Sequence, residues 1–478
     1  MITFIVCLFA LVAGYFIYGR IVERVFSPDD RPTPAVRIND GVDFIVLPSW
    51  KVFMIQFLNI AGTGPIFGAI MGAKFGPAAY LWIVLGCIFA GAVHDYMSGM
   101  LSLRHDGAGQ PEIVGRYLGS VTKKVMLVFS VFLLMMVGAV FVYSPALILG
   151  KLSGEGLTWV YIWCGIIFAY YIIATMMPID KIIGKVYPLF AISMLFMAVA
   201  LMAVLFVKWP SLPELTDGIW GEGYTAPIFP ALFITIACGA ISGFHATQTP
   251  LMARCLKSER LGRPMFYGAM ITEGVVALIW ATVSMYFFYG GAAQDLGQPL
   301  TLQAPEVVTA VSQGWLGTFG GILAMLGVVA APITSGDTAL RSARLIIAEF
   351  IHLEQKTIMK RIYICIPLFG VTLGLLFFNI QNPDGFNVIW SYFGWANQTL
   401  AVFTLWAITV YLVRQHKPWF ITMLPALFMT VVCSTFLMIS PNAFGLSMPI
   451  GYGVGGAALI VSLAWFFTWK AKDEKSRR

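Results

Sequence analysis

The sequence predicts an all-α polytopic membrane protein of about thirteen transmembrane helices, built around two inverted repeats of five helices each. Three observations carry that expectation. The chain has 478 residues, 59% hydrophobic and 11% charged, where ordinary soluble domains carry roughly a quarter charged residues; mean hydropathy is +0.82. Of its 30 Lys and Arg, all but Lys74, Lys151 and Lys208 fall in alternate loops, the asymmetry of a polytopic protein with its basic loops inside. Two apolar stretches five spans apart carry helix-breaking glycines at their centres.

The first span, 2–19, starts at Met1 with no basic n-region and no small-residue cleavage site. It reads as a retained helix, extra to the core, and with its loop makes up residues 1–50. Spans 52–73, 78–101, 124–149, 158–178 and 185–207 form the first repeat, residues 51–208. Spans 228–250, 265–290, 316–340, 361–379 and 387–412 form the second, residues 228–412. Spans 419–439 and 449–469 follow as two extra helices with a basic tail, residues 413–478. Each approaches the ~20 apolar residues a bilayer core requires. The charge bias puts the N-terminus outside and the tail in the cytoplasm of a cell with this protein in its inner membrane. The net charge of +7 is thus a topology signal, and nucleic acid is not a partner. The seven cysteines form no CxxC pair and read as buried thiols.

The second span contains "NIAGTGPIFG", residues 59–68. A glycine costs about 1 kcal/mol in a helix interior and a proline about 3. A breaker at membrane depth survives where protein or a wet cavity satisfies the freed backbone. The seventh span contains "ACGAISGFHATQTP", residues 237–250, and runs in the opposite direction. Such a pair marks inverted repeats whose broken helices share a central site. Unwound backbone at Ala61, Gly62, Thr63, Gly64 and Pro65, and at Gly239, Ser242 and Gly243, is expected to bind a small solute there. The resumed helices would present N-termini to a carboxylate and the freed carbonyls would attract a cation. The alternative is two kinked helices packed closely through glycine.

The ninth span holds Ala331, Thr334 and Ser335 at i, i+3 and i+4, with Pro332 freeing nearby carbonyls. With a carbonyl at Ala61 they make a hard-oxygen set suited to Na⁺, unless the two hydroxyls bond back to their own helix. Ionisable residues at depth are functional candidates. Coupling or gating candidates are His94, Asp95, Glu273, and Asp337 with Arg341 at i+4, the last two expected to form a helical ion pair. His94 and Asp95 are adjacent and expected on different helix faces, a poor metal pair. His245, beside the second break, is assigned to the substrate region, with a hydrogen-bonded structural histidine as the alternative. Asn397 and Gln398 in "FGWANQTLA" either read the substrate or bond between helices. There is no P-loop and no HExxH, so neither an ATP-driven pump nor a metalloprotease is expected, and the chain is not read as an enzyme.

Five stretches in order resemble the carbon starvation protein A family of inner-membrane transporters: "TPAVRINDGVDF" (33–44), "IAGTGPIFG" (60–68), "GAVHDYM" (91–97), "FPALFITIACGAISGFHATQTP" (229–250) and "FGWANQTLA" (393–401). The likeness runs from about residue 20 to 412. It implies uptake of small nutrients under carbon limitation, short peptides first and pyruvate or amino acids as alternatives, on a leucine-transporter-like fold. In that fold the helix matching the ninth span supplies a Na⁺ site of similar spacing. Where many members carry a histidine pair this chain reads "MIQFLNIAG", with Gln56 near that place. The expected function is a symporter coupled to Na⁺ or H⁺, with no other cofactor; a channel or an intramembrane enzyme is the competing class.

Overall fold

In the computed structural model, residues 1–154, 156–177, 183–219, 227–355, 357–382 and 385–477 are described. Lys181, Lys356 and Arg478, three of the basic residues counted above, lie outside them. The described chain is helical. We label the principal helices α1 (Ile2–Phe26), α2 (Ser49–Ala61), α3 (Gly64–Phe75), α4 (Ala78–Arg104), α5 (Gln110–Leu118), α6 (Ser120–Ser153), α7 (Leu157–Met176) and α8 (Tyr187–Lys208). They continue as α9 (Ala231–Thr235), α10 (Gly243–Ala253), α11 (Glu259–Tyr289), α12 (Ala304–Phe350), α13 (Ile358–Gln381), α14 (Gly385–Arg414), α15 (Phe420–Ile439) and α16 (Met448–Arg477).

Eleven helices among the described residues are long and apolar enough to cross a membrane, and twelve spans result if the bent pair α2/α3 counts as one. Over the remaining expected span, 228–250, the chain forms the short helices α9 and α10 on either side of an unwound segment, neither long enough to count among the crossing helices. The span expected at 316–340 belongs to a longer element. α12 kinks at Gly317 (φ 64°) and then runs to Phe350.

Burial sorts the helices into an inner and an outer set. In the most apolar windows of α4, α11 and α14, 83% of residues are buried, and in α12 82%, against 28% in α7 and 17% in α16. These inner helices carry most of the polar residues singled out above, the rest lying at the two breaks or on the short helices beside them. Those groups need partners at depth, and only a helix enclosed by others supplies them. The outer helices show large apolar side chains such as Phe9, Ile166, Phe377 and Ile460 on the surface, as lipid contact demands. α6 packs along α12, and α8 joins α12 to α2. α3 lies on α11, while α10 lies between α4 and α14. All seven cysteines are buried.

Candidate functional site

The first break is short. α2 ends at Ala61, Gly62 adopts φ 49° and ψ −137°, and α3 restarts at Gly64 after a bend of 42°. An L side chain rarely enters that region of positive φ. Pro65 then sits in the first turn of α3, where its missing N–H costs little. Unwinding is thus confined to Gly62 and Thr63, narrower than the expected Ala61–Pro65. The second break is wider. α9 ends at Thr235, the backbone is non-helical over 236–242, Gly239 takes φ 90°, and α10 starts at Gly243.

The two breaks touch. A side chain at Gly64 would collide with Cys238, and one at Gly239 would lie 3.9 Å from the Pro65 ring. Gly64 is thus required by the second break, whereas Gly239 is required by its positive φ and by Ala277 on α11, which a side chain there would strike. Gly243 meets α14 in the same way, where a side chain would run into the Asn397 carbonyl.

The second break is held from outside. The Trp82 indole N–H donates to the Ile236 carbonyl at 2.7 Å. Gln398 donates to the Phe233 carbonyl at 2.8 Å. The Asn397 side-chain oxygen accepts from the Ser242 hydroxyl at 3.1 Å and from the Phe244 N–H at 2.5 Å. Asn397 thereby caps α10, and the N–H that was expected to meet a solute carboxylate is already taken at Phe244. Asn397 and Gln398 act between helices, one on each half of the broken span.

The first break is left open in its polar groups. Gln56 and Asn59 lie three residues apart on one face of α2, and Thr63 follows in the unwound pair just past its end. All three are buried, and none of their side-chain polar atoms makes a hydrogen bond. Such a group costs about 1–3 kcal/mol when left bare, so three of them point to contact with water or solute. Asn59 was not singled out from sequence, although its spacing from Gln56 and Thr63 is readable there.

Ser335 reaches this break. Its hydroxyl donates to the Leu58 carbonyl at 2.8 Å, and a side chain at Gly62 would lie 3.3 Å from the Ser335 oxygen. Thr334 turns back on its own helix and donates to the Ala330 and Ala331 carbonyls, both at 2.9 Å. Pro332 does not interrupt α12: the helix continues through it, and the Tyr171 hydroxyl donates to its carbonyl at 3.1 Å.

The expected Asp337–Arg341 ion pair does not form among the described residues. Asp337 instead accepts from the Tyr187 hydroxyl at 2.5 Å. Arg341 donates to the Ala174 carbonyl and lies 3.8 Å from Asp43, which is equally 3.8 Å from Arg344. The competitors come from α8 and from the loop before α2, and both outreach the neighbour one turn away. Asp43, Arg341 and Arg344 are all buried.

The remaining ionisable candidates converge. Asp95 accepts from Nδ1 of His94 at 2.8 Å through one oxygen and from Nδ1 of His245 at 2.8 Å through the other. The adjacent His94 and Asp95 do meet, contrary to the expectation from helix faces, because the acid bridges two imidazoles. Glu273 on α11 lies 3.5 Å from Nε2 of His245. Cys238, at the second break, completes the group. Its sulfur, a His245 nitrogen and a Glu273 oxygen all lie within 4.8 Å of one another. Sequence reading passed over Cys238, since a lone cysteine in an apolar run carries no spacing signal.

The comparisons with known proteins agree with this architecture. The family profile described as "Carbon starvation protein CstA" matches residues 1–162, 152–313 and 291–436. A membrane protein of Haemophilus influenzae is 47% identical over 339 residues, covering 60% of this chain and 91% of its own. The peptide transporter CstA of Escherichia coli is 24% identical, covering 90% and 79%, and that of Bacillus subtilis 26%, covering 82% and 81%. Among solved structures, an Eremococcus coleocola manganese transporter superposes with TM-score 0.59 at 12% identity, covering 92% of this chain and 99% of its own. That last likeness speaks to the fold alone. With its profile matched along most of its length and its two breaks lying within the matched stretches, the chain belongs to the carbon starvation protein CstA family of membrane transporters.

Proposed function

We propose that the protein is a secondary active transporter that imports small carbon nutrients, short peptides in the first place, by cation-coupled alternating access in the inner membrane. The observation that carries this reading is the meeting of two broken helices, Gly64 against Cys238 and Gly239 against Pro65, beside the unpartnered side chains of Gln56, Asn59 and Thr63. A soluble core has no use for such a junction. A solute that must be bound at mid-depth and then released does.

In this reading α2/α3 and α9/α10 are the first helices of two inverted five-helix repeats, within thirteen spans overall. The lysine and arginine bias orients the N-terminus outside. Relatives named peptide transporters support a peptide substrate; pyruvate and amino acids are the alternatives. Of the Na⁺ seat expected from the carbonyls of Ala61 and Ala331 with the hydroxyls of Thr334 and Ser335, Ser335 is the member supported here, since its bond to Leu58 brings α12 to the first break, while Thr334 is engaged with the Ala330 and Ala331 carbonyls.

The test is uptake in reconstituted vesicles. A labelled dipeptide and labelled pyruvate are each supplied with an imposed Na⁺ gradient, an imposed proton gradient, or neither. Accumulation of the dipeptide against its gradient, driven by Na⁺, is the expected result. Accumulation of pyruvate alone replaces the substrate, and drive by protons alone removes the Na⁺ seat. Equilibration with no drive at all makes the protein a channel and ends the proposal.

A further inference from the structure

Around His245 the hydrogen-bond donors run out. Asp95 holds Nδ1 of both His94 and His245 at 2.8 Å. A carboxylate accepts, so each imidazole carries its proton on Nδ1 and turns a lone pair outward on Nε2; this tautomer is assigned from the partners. Nε2 of His245 has no hydrogen-bond partner, and neither oxygen of Glu273 has one. These atoms and the Cys238 sulfur converge, and all three residues are buried. The Cys238 thiol donates to the Ser242 hydroxyl at 3.6 Å, so its sulfur turns lone pairs toward the bare imidazole nitrogen and carboxylate, and a cation among these acceptors would satisfy all three.

The His245–Glu273 spacing fits a shared metal ion better than a shared proton, and the Cys238 sulfur, within 4.8 Å of both, would draw in around such an ion. A proton shared between imidazole and carboxylate draws the heavy atoms to about 2.7–2.9 Å. Nε2 of His245 and the Glu273 oxygen are 3.5 Å apart. Two nitrogen or oxygen ligands on a tetrahedral ion, each bonded at about 2.0–2.2 Å, stand roughly 3.3–3.6 Å from one another. The third ligand is a sulfur, which adds nothing to a proton relay and much to a metal site. The carboxylate on the far nitrogen is the usual support of a ligating histidine, fixing its tautomer and raising its basicity.

We propose that Cys238, His245 and Glu273 bind a borderline-soft divalent transition ion such as Zn²⁺ at the second helix break. Asp95 positions His245 behind it. Thiolate, imidazole and carboxylate together suit that class rather than Ca²⁺ or Mg²⁺, which take oxygen ligands. On binding, the Cys238 thiol loses its proton to solvent, while His245 binds through the Nε2 lone pair and keeps its Nδ1 proton on Asp95. The ion joins the unwound segment to α10 and α11, and its two positive charges offset two of the three negative charges carried by the thiolate and the two buried carboxylates.

The experiment uses the purified full-length chain in detergent, stripped with a chelator and then titrated with Zn²⁺ and separately with Co²⁺. One Zn²⁺ retained per chain through buffer exchange is expected, and Co²⁺ should show the intense visible bands of a tetrahedral ion with a sulfur charge-transfer feature. Cys238→Ser, nearly the same size, abolishes that feature and weakens Zn²⁺ binding at least tenfold. Asp95→Asn leaves the feature in place and weakens binding about 10–100-fold. Retention below stoichiometry in the wild-type chain overturns the proposal. So does a cobalt spectrum without sulfur character, or unchanged Zn²⁺ binding in a Cys238→Ser, His245→Ala double variant. Metal content is read without any uptake, so failure of the transport reading and failure of this site are separate results.

Discussion

The two helix breaks solve the same problem in opposite ways. At the second, seven residues unwind and other helices answer for them: Trp82 takes the Ile236 carbonyl, Gln398 the Phe233 carbonyl, and Asn397 the Ser242 hydroxyl and the Phe244 N–H. At the first, two residues unwind, one Ser335 hydroxyl reaches in, and Gln56, Asn59 and Thr63 stay unpartnered. The second break is a braced structure. The first keeps three buried polar side chains without partners, the feature on which the proposed binding site rests. Satisfied polar groups stabilise one arrangement, whereas unsatisfied ones at depth are a standing cost that only a ligand or water offsets.

The contrast breaks most sharply at the contact between the two. Gly64→Leu drives a side chain into Cys238. Uptake should be lost by about 100-fold or more while the protein still reaches the membrane, because a misfit at a binding centre costs several kcal/mol. Normal uptake with correct membrane insertion would show that the breaks do not act together. Next is Asn397→Ala, which strips two groups of their acceptor and should cost about 1–3 kcal/mol. It is expected to lower the unfolding temperature as well as uptake. A loss of uptake with unchanged stability would move Asn397 from brace to binding site and erase the distinction.

Ser335→Ala should raise the half-saturating Na⁺ concentration about tenfold, equivalent to ~1.4 kcal/mol. Adding Thr334→Ala should change it little further, since that hydroxyl is turned onto its own helix. A large extra effect would mean that Thr334 rotates into the site. The smallest change is Gln398→Ala. It removes one bond to a backbone carbonyl, worth about 1 kcal/mol, and should leave uptake within about twofold while slightly lowering stability.

Much of this was legible in the sequence, because local patterns carry it. Apolar length marked the membrane helices, and glycine and proline marked both breaks to within a few residues. The i, i+3, i+4 set on α12 led to the one hydroxyl that does touch the first break. Contacts between distant segments left no such mark. Arg341 had Asp337 one turn away and still met Asp43, some three hundred positions earlier in the chain. Tyr187 then took the aspartate. Cys238 stood in an apolar run with no period to single it out, and became interesting only when α11 brought Glu273 to it. Burial decided these cases: in a dry interior the best available partner wins, whatever its place in the sequence.

Asp43 also has a mechanical consequence. Its carboxylate lies between two buried guanidinium groups on one turn of α12, and its loop is tied down by Asp40, whose side chain accepts the N–H groups of Val42, Asp43 and Phe44. If loop and helix parted, two like charges would face each other with nothing between them, and a lone carboxylate would be stranded in apolar surroundings. The segment leading into the first break and the helix that touches that break therefore travel as one linkage. A hinge between them would have to break both ion pairs at once.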